Sequence, residues 1–180
     1  MDDEKVVCDK QISCDKDKAH YVVATCIIVK DGKYLIAKRS MEEKAFPGKW
    51  TVPGGKLETR DYINREYDTP AGKQWYNVIE DLVKREVREE VSLEIGSLGY
   101  VTSLTFIRHD GIPTLVISLF ANHSSGDVVL SDELTEYKWV TLEEAKNYDL
   151  IDGIYEELEI LDGFLKSGEG MCWKKQQAQK

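Results

Sequence analysis

The segment Val78–Val91 constrains this chain most, because its helical winding places acidic side chains where apolar ones are expected. With Val78 set at 0° and about 100° per residue, Leu82 falls near 40° on the apolar face. On the same winding Glu89 falls near 20°, Glu86 near 80° and Glu90 near 120°. The sequence therefore predicts an amphipathic helix whose buried stripe continues into three carboxylates.

The opposite side of this helix already carries the charges that solvent requires. Glu80, Lys84 and Arg88 follow one another at spacings of four residues, which is typical of a solvated ladder of ion pairs. Carboxylates crowded into about 100° of arc repel one another unless a cation neutralises them. Mg²⁺ and Mn²⁺ prefer oxygen ligands and are commonly shared between carboxylates and substrate phosphates. The helix thus predicts a site for a divalent metal and a diphosphate.

The rest of the chain predicts one α/β domain with a mixed sheet. A hairpin is expected from Tyr21 to Lys38 around Asp31-Gly32, and Pro53-Gly54-Gly55 ends a short strand that begins at Trp50. Thr141-Leu-Glu-Glu is a capping box that opens a short helix. Further strands are expected near residues 93–108, 113–121 and 136–140, a helix over about 75–91, and a last helix over 152–165. The domain is expected to span 19–166, between polar tails at 1–18 and 167–180.

Composition excludes several classes of protein. The 180 residues are 42% hydrophobic and carry 24 basic against 33 acidic side chains, so the formal net charge is −9. Nucleic acid polymers are bound through clustered Lys and Arg, and this balance argues against such a partner. No apolar run approaches the ~20 residues of a membrane span, and a cytoplasmic protein without a membrane partner is expected. Cys8, Cys14, Cys26 and Cys172 lack zinc-site spacing and are expected to be free thiols.

Two segments together resemble the Nudix box, whose pattern is G-x5-E-x7-R-E-U-x-E-E-x-G-U with U a bulky aliphatic residue. They are Gly55-Lys-Leu-Glu58, preceded by Pro53-Gly54, and Arg85-Glu-Val-Arg-Glu-Glu-Val-Ser-Leu93. The resemblance implies a Nudix fold, an α/β/α sandwich with a mixed sheet. It also implies hydrolysis of a nucleoside diphosphate linked to another moiety, with Mg²⁺ as cofactor and Mn²⁺ as the alternative ion. By the same resemblance Glu86, Glu89 and Glu90 bind the metal, Arg85 orients a glutamate and Gly55 forms the turn.

The chain departs from this pattern at three places. Between Gly55 and Arg85 lie 29 residues where the pattern has 13, so 16 extra positions, at about 59–74, split the box. The first glutamate of the pattern corresponds to Asp61 when counted from Gly55, and to Asn77 when counted back from Arg85. Both alternatives remain open from the sequence. Ser92 stands where the pattern has its last glycine.

Residues outside the carboxylate helix complete the expected site. Glu133, in an acidic stretch before a predicted strand, is the candidate additional metal ligand or general base. Flat aromatic groups stack on nucleobases, which favours Trp50, Phe46, Trp75 and Tyr76 as substrate contacts. The substrate-binding residues expected first are Gly54, Gly55, Trp50, Lys38 and Arg39.

Taken together, these features predict a Mg²⁺-dependent Nudix hydrolase that acts on a small nucleotide. The substrate is expected to be a nucleoside triphosphate or a nucleoside diphosphate derivative, and the product a nucleoside monophosphate. The alternatives are an ADP-ribose or nucleotide-sugar pyrophosphatase, and a Nudix-like sensor that binds a nucleotide without turnover. A monomer or a homodimer is compatible with the sequence.

Overall fold

The computed structural model describes residues 19–168, 170 and 171. Cys8, Cys14 and Cys172 and most of both predicted tails lie outside the described residues. Cys26 is a buried free thiol, as expected, and burial raises its pKa to about 12. Within the described residues, no helix has the length and apolar character needed to cross a membrane.

In the part of the chain that the structure describes, four strands precede the first of three α-helices, and four more strands precede the other two. The strands are β1 (Tyr21–Lys30), β2 (Lys33–Arg39), β3 (Trp50–Thr51), β4 (Gly54–Lys56), β5 (Glu94–Ile95), β6 (Gly99–Ile107), β7 (Pro113–Ser125) and β8 (Leu134–Val140). The helices are α1 (Val78–Val91), α2 (Leu142–Ala145) and α3 (Ile154–Ser167), and a 3₁₀ turn covers Thr59–Asp61.

The strands form a mixed sheet organised around β1. One edge of β1 pairs in parallel with β7 over nine residues, while its other edge pairs antiparallel with β2 and β4. β8 extends the sheet beyond β2, and β6 pairs antiparallel with β7. The pairing of β4 with β1 is decisive for the site, because it fixes Gly54 and Gly55 opposite Thr25 and Ala24.

Side chains alternate across β1 and build a core on each face of the sheet. Ala24, Cys26 and Ile28 face α1, whereas Ile27 and Val29 face α2 and α3. Leu82, Val83, Val87 and Val91 cover the first face. Helices on both faces of a mixed sheet make an α/β/α sandwich, which confirms the predicted fold.

Several predicted boundaries were wrong in detail. The helix expected from Trp75 begins at Val78, because Asn77 adopts a left-handed conformation with φ 56°. The strand expected over 93–108 is two strands, and β7 continues to Ser125. The last helix is shifted to Ile154–Ser167, after Gly153 with φ 95°.

Candidate active site

The site forms where β4 meets the carboxylate face of α1. The backbone N–H of Gly54 donates a hydrogen bond to Glu90 Oε2 over 2.9 Å. A Cβ at Gly54 would collide with the Ala24 carbonyl oxygen and lie 2.7 Å from Thr25 Cα, so only glycine allows this close strand pairing. The Pro53-Gly54-Gly55 turn and the helix are therefore joined directly through Glu90.

Glu86 lies against the neighbouring glycine. A Cβ built at Gly55 would overlap the Glu86 carboxyl carbon and Oε1. The Glu86 side chain thus fills the space that any other residue at position 55 would need. Gly54 is thus required by its close pairing with β1, whereas a side chain at Gly55 would displace the Glu86 carboxyl, and both glycines lie beside carboxylates of α1.

Glu90 is a buried carboxyl group in an acidic environment. Only 6% of Glu90 is exposed, and burial raises its pKa to about 8, against the lowering effect of the Gly54 hydrogen bond. The charges of Glu86 and Glu133 raise this pKa further, while Arg39 lowers it. Burial likewise raises the pKa of Glu86, with Arg85 acting against the shift. Two desolvated carboxyls therefore lie within reach of each other and of Glu133.

Arg85 gathers the remaining acidic side chains of the site. Its Nη2 lies 2.8 Å from Glu86 Oε1 and 3.1 Å from Asp61 Oδ1, and its Nη1 lies 2.6 Å from Glu89 Oε2. Guanidinium groups present several donors in one plane, which suits them to hold carboxylates in fixed relative positions. Arg85 is therefore paired with Glu86, Glu89 and Asp61 at the same time.

Asp61, and not Asn77, lies beside Arg85. The Asp61 side chain is 9% exposed, and its second oxygen, Oδ2, accepts the Glu58 N–H over 2.8 Å. Its carboxylate is thus held from both sides. Asn77 precedes α1 and makes no capping hydrogen bond through its side chain. The structure therefore favours the alignment counted from Gly55, in which Asp61 stands at the first glutamate of the box. In that alignment the extra residues follow Asp61.

The loop that carries Glu133 packs onto the C-terminal end of α1. Ser131 N–H donates to the Glu90 carbonyl over 3.0 Å, and Val129 N–H donates to the Val91 carbonyl over 3.1 Å. At the other end of the loop, the Glu133 carbonyl accepts the Ser40 N–H over 2.7 Å. These backbone contacts keep Glu133 close to Glu90.

The other predicted substrate contacts lie in different surroundings. Arg39 donates to the Ala45 carbonyl over 2.8 Å and pairs with Glu43, and its charge still acts on Glu90. Lys38 is paired with Glu136 over 2.8 Å at the surface.

The structure does not support Trp50 as a substrate contact. Trp50 is 7% exposed and packs edge-on against Tyr148 in the core below α2 and α3. It therefore belongs to the face of the sheet opposite α1. Phe46, with φ 52°, is half exposed in the loop before β3.

The donor set of the site fits a hard divalent cation. Within 19–168, 170 and 171, no three Asp, Glu, His or Cys side chains are arranged as a ready metal centre, because Arg85 stands between Asp61, Glu86 and Glu89. The carboxyls are nevertheless adjacent, and Glu86 and Glu90 have raised pKa values that a nearby cation would lower. Oxygen-only ligands in this setting favour Mg²⁺ or Mn²⁺ over softer metals.

Comparison with known proteins gives the same class as the fold and the site. The family model of the NUDIX domain matches residues 19–159, and this chain therefore belongs to the NUDIX family. A nucleoside triphosphatase NudI from Klebsiella pneumoniae is 26% identical over 135 residues, covering 69% of this chain and 84% of the relative. NudI from Salmonella agona is 28% identical over the same shares. The chain is a Nudix hydrolase.

Solved structures agree with this fold. A MutT NUDIX hydrolase from Burkholderia pseudomallei superposes with a TM-score of 0.62 at 22% identity, over 79% of this chain and 98% of that one. The NUDIX domain of Shewanella oneidensis NrtR, solved with ADP ribose, gives 0.59 at 16% identity over 84% and 90%. At these identities the likeness concerns the fold alone.

Proposed function

We propose that this chain is a divalent-metal-dependent hydrolase that cleaves the diphosphate linkage of a nucleoside triphosphate or a nucleoside diphosphate derivative. The nucleoside monophosphate is one product. The observation that carries the proposal is the contact of two desolvated carboxyls, Glu86 and Glu90, with the backbone of Gly55 and Gly54. A buried acidic cluster of this kind is costly without a counter-charge, and a metal with a polyphosphate supplies one.

Glu86, Glu89 and Glu90 are the residues we propose as metal ligands, with Mg²⁺ as the ion and Mn²⁺ as a substitute. When bound, such an ion neutralises phosphoryl oxygens and lowers the pKa of a coordinated water. Glu90 is held by the Gly54 N–H, and Glu86 by packing on Gly55, so both carboxyls are placed before any ligand arrives. Glu89 is the most exposed of the three and is held by Arg85.

Arg85 and Asp61 act in this proposal as positioning residues, and Glu133 as the proton acceptor. Arg85 fixes Glu86 and Glu89 through two different nitrogens, and Asp61 in turn fixes Arg85. Glu133 lies near Glu90 on a separate loop and is not one of the three proposed metal ligands, so its carboxylate can take a proton from water. We propose Gly54, Gly55 and Arg39 as substrate-binding residues beside these carboxylates.

Nucleoside triphosphates are the first substrates to test, because the two NudI relatives are named nucleoside triphosphatases. ADP-ribose and nucleotide sugars are the second class, since the NrtR domain is solved with ADP ribose. We further propose a hydrolase domain at 19–166 with tails at 1–18 and 167–180, a cytoplasmic location, no membrane partner, and a monomer or homodimer.

Release of phosphate and pyrophosphate in the presence of Mg²⁺ or Mn²⁺ tests the function. The panel holds canonical and oxidised nucleoside triphosphates, ADP-ribose, dinucleotides and nucleotide sugars. Metal-dependent formation of a monophosphate is expected from one class, and pyrophosphate as co-product identifies a triphosphate cleaved between its first two phosphates. Absence of turnover across the panel, together with thermal stabilisation by a nucleotide, would identify a binding module and contradict the proposal.

A further inference from the structure

Residues 62–77, which are the 16 extra residues when the box is counted from Gly55, form an aromatic lobe beside α1. Trp75 packs against Tyr62 with ring centroids 5.1 Å apart and against Tyr67 at 5.4 Å, and its Nε1 donates to the Arg65 carbonyl over 3.1 Å. Arg65 also pairs with Asp81 of α1 over 2.7 Å. The lobe is thus held by its own hydrogen bonds and fastened to the helix that carries the carboxylates.

A cavity of about 550 Å³ opens between this lobe and the start of α1. That size is typical of small-molecule sites, and its walls are mostly aromatic and aliphatic. Lys73 adds a positive charge at the edge, in a chain whose net charge is −9. The residues that line the cavity include Leu57, Tyr62, Lys73, Trp75, Tyr76 and Val78.

Residues that line the cavity are close in sequence to residues of the carboxylate site. Tyr62 follows Asp61, which pairs with Arg85, and Leu57 lies two positions after Gly55, which contacts Glu86. Val78 and Glu86 are eight residues apart on α1, a rise of about 12 Å. A nucleotide whose phosphates lie at the carboxylates can span that distance with its base in the cavity.

We infer that this cavity is the base subsite of the enzyme and that it takes the nucleobase of a nucleotide, with Tyr76 and Trp75 as the stacking faces. Tyr76 is 61% exposed at the rim, and its backbone N–H is fixed by Asp68 over 2.8 Å. Every nucleobase has a flat face that stacks on aromatic rings. The inference rests on the proposed function and names which part of the substrate the inserted lobe recognises.

The test measures binding separately from turnover. AMP, GMP, CMP and UMP are titrated into the full chain while tryptophan fluorescence is followed, and KM is measured for the best triphosphate. Tyr76→Leu is expected to weaken monophosphate binding and raise KM about tenfold, which is the loss of one stacking contact. Inhibition by tripolyphosphate, which has no base, is expected to stay unchanged. Trp75→Phe is expected to remove the fluorescence response.

Tyr100→Leu is the matched control, because Tyr100 is 53% exposed, lies on β6 outside the lobe and does not line the cavity. Wild-type binding in this variant is expected. Equal losses in both variants, or wild-type binding in Tyr76→Leu, would overturn the inference. Binding that depends on Tyr76, without hydrolysis of any nucleotide, would support the subsite and contradict the proposed function. Hydrolysis that is unaffected by Tyr76→Leu would support the proposed function and contradict the subsite.

Discussion

The carboxyls of Glu86 and Glu90 are placed by backbone and not by other side chains alone. Each lies against one glycine of the β4 turn, through steric contact at Gly55 and through a hydrogen bond at Gly54. Backbone atoms move less than side chains, so the two groups are fixed relative to the sheet. These contacts explain how the Gly54-Gly55 turn and α1 form one site although they are far apart in sequence.

Glu89→Gln is expected to reduce turnover by orders of magnitude while the fold is retained. Glu89 is exposed on α1, and the amide removes a negative charge without changing the shape of the side chain. Glu80→Gln is the matched control, since Glu80 is an exposed glutamate on the same helix at its other end. Steady-state rates with Mg²⁺ and circular dichroism measure both effects. A wild-type rate for Glu89→Gln would remove Glu89 from the proposed machinery.

Asp61→Ala is expected to lower kcat/KM by about 10–100-fold, because a group that orients metal ligands typically contributes that much. Arg85 would lose one of its three carboxylate partners. Asn77→Gly is the control, since Asn77 has φ 56° and glycine adopts this conformation without strain. Kinetics of both variants discriminate the two alignments of the box. A greater loss in Asn77→Gly than in Asp61→Ala would favour the alignment counted back from Arg85.

Gly55→Ala is expected to abolish most activity, because the new methyl group would displace the Glu86 carboxyl. The change in unfolding free energy should be modest by comparison, since Glu86 is a flexible side chain at the surface of the core. Activity and thermal denaturation measured on the same sample separate the two effects. Full activity in this variant would show that the position of Glu86 against Gly55 does not matter for turnover.

Among the elements, α1 was the one that the sequence predicted best. Its apolar stripe, the burial of Glu90 beside that stripe and its C-terminal end at Val91 follow from helical periodicity, whereas Glu89, expected on the same face, is exposed. The start of α1 was predicted wrongly, because Trp75 and Tyr76 continue the helical periodicity although they belong to the lobe. Their position is decided by tertiary contacts with Arg65 and Asp68 that no local pattern encodes.

For a short strand, the face of the sheet that each side chain occupies could not be predicted from the sequence. β3 has two residues, so alternation cannot reveal which face of the sheet Trp50 occupies. Its register with β2 decides the matter and turns Trp50 toward Tyr148, away from α1. The contact between Asp61 and Arg85 was equally hidden, because it depends on the 3₁₀ turn at the start of the insertion.

Gly163→Ala in α3 is expected to stabilise the protein by about 0.5–1 kcal/mol, since alanine is a better helix former. No atom lies within 4 Å of a Cβ built there. The melting temperature should rise by about 1–4 °C. Gly153→Ala makes a matched comparison, because Gly153 precedes the same helix with φ 95° and should lose stability. A fall in the melting temperature of Gly163→Ala would contradict the helix-propensity argument.

At the scale of the whole molecule, the cores on the two faces of the sheet differ in where their buried carboxyl groups lie. The α1 side ends in the acidic site, whereas the α3 side buries one carboxyl, Glu157, at 5% exposure. Burial raises the pKa of Glu157, and a hydrogen bond with Ser118 acts against that shift. The folded state therefore binds a proton that the unfolded state releases, so this group lowers stability as pH rises above the ordinary glutamate pKa.

Glu157→Gln is accordingly expected to raise the melting temperature at pH 8 and to change it little near pH 4. The amide keeps a partner for Ser118 and removes the buried charge. Melting curves from pH 4 to 8 on both proteins measure the difference. A stabilisation that is equal at all pH values, or a loss that grows with pH, would contradict the sign of the argument.

The position of the lobe, after Asp61 and before α1, also bears on how such a protein can diversify. The lobe is bounded by the 3₁₀ turn that ends at Asp61 and by the start of α1 at Val78, so its interior can change length at a small entropic cost. Replacing residues 62–76 would leave Gly54, Gly55 and the glutamates of α1 in place. The lobe can therefore vary during evolution while the glycine turn and the glutamates of α1 are retained. Related proteins could in this way acquire new ligands and keep the same reaction.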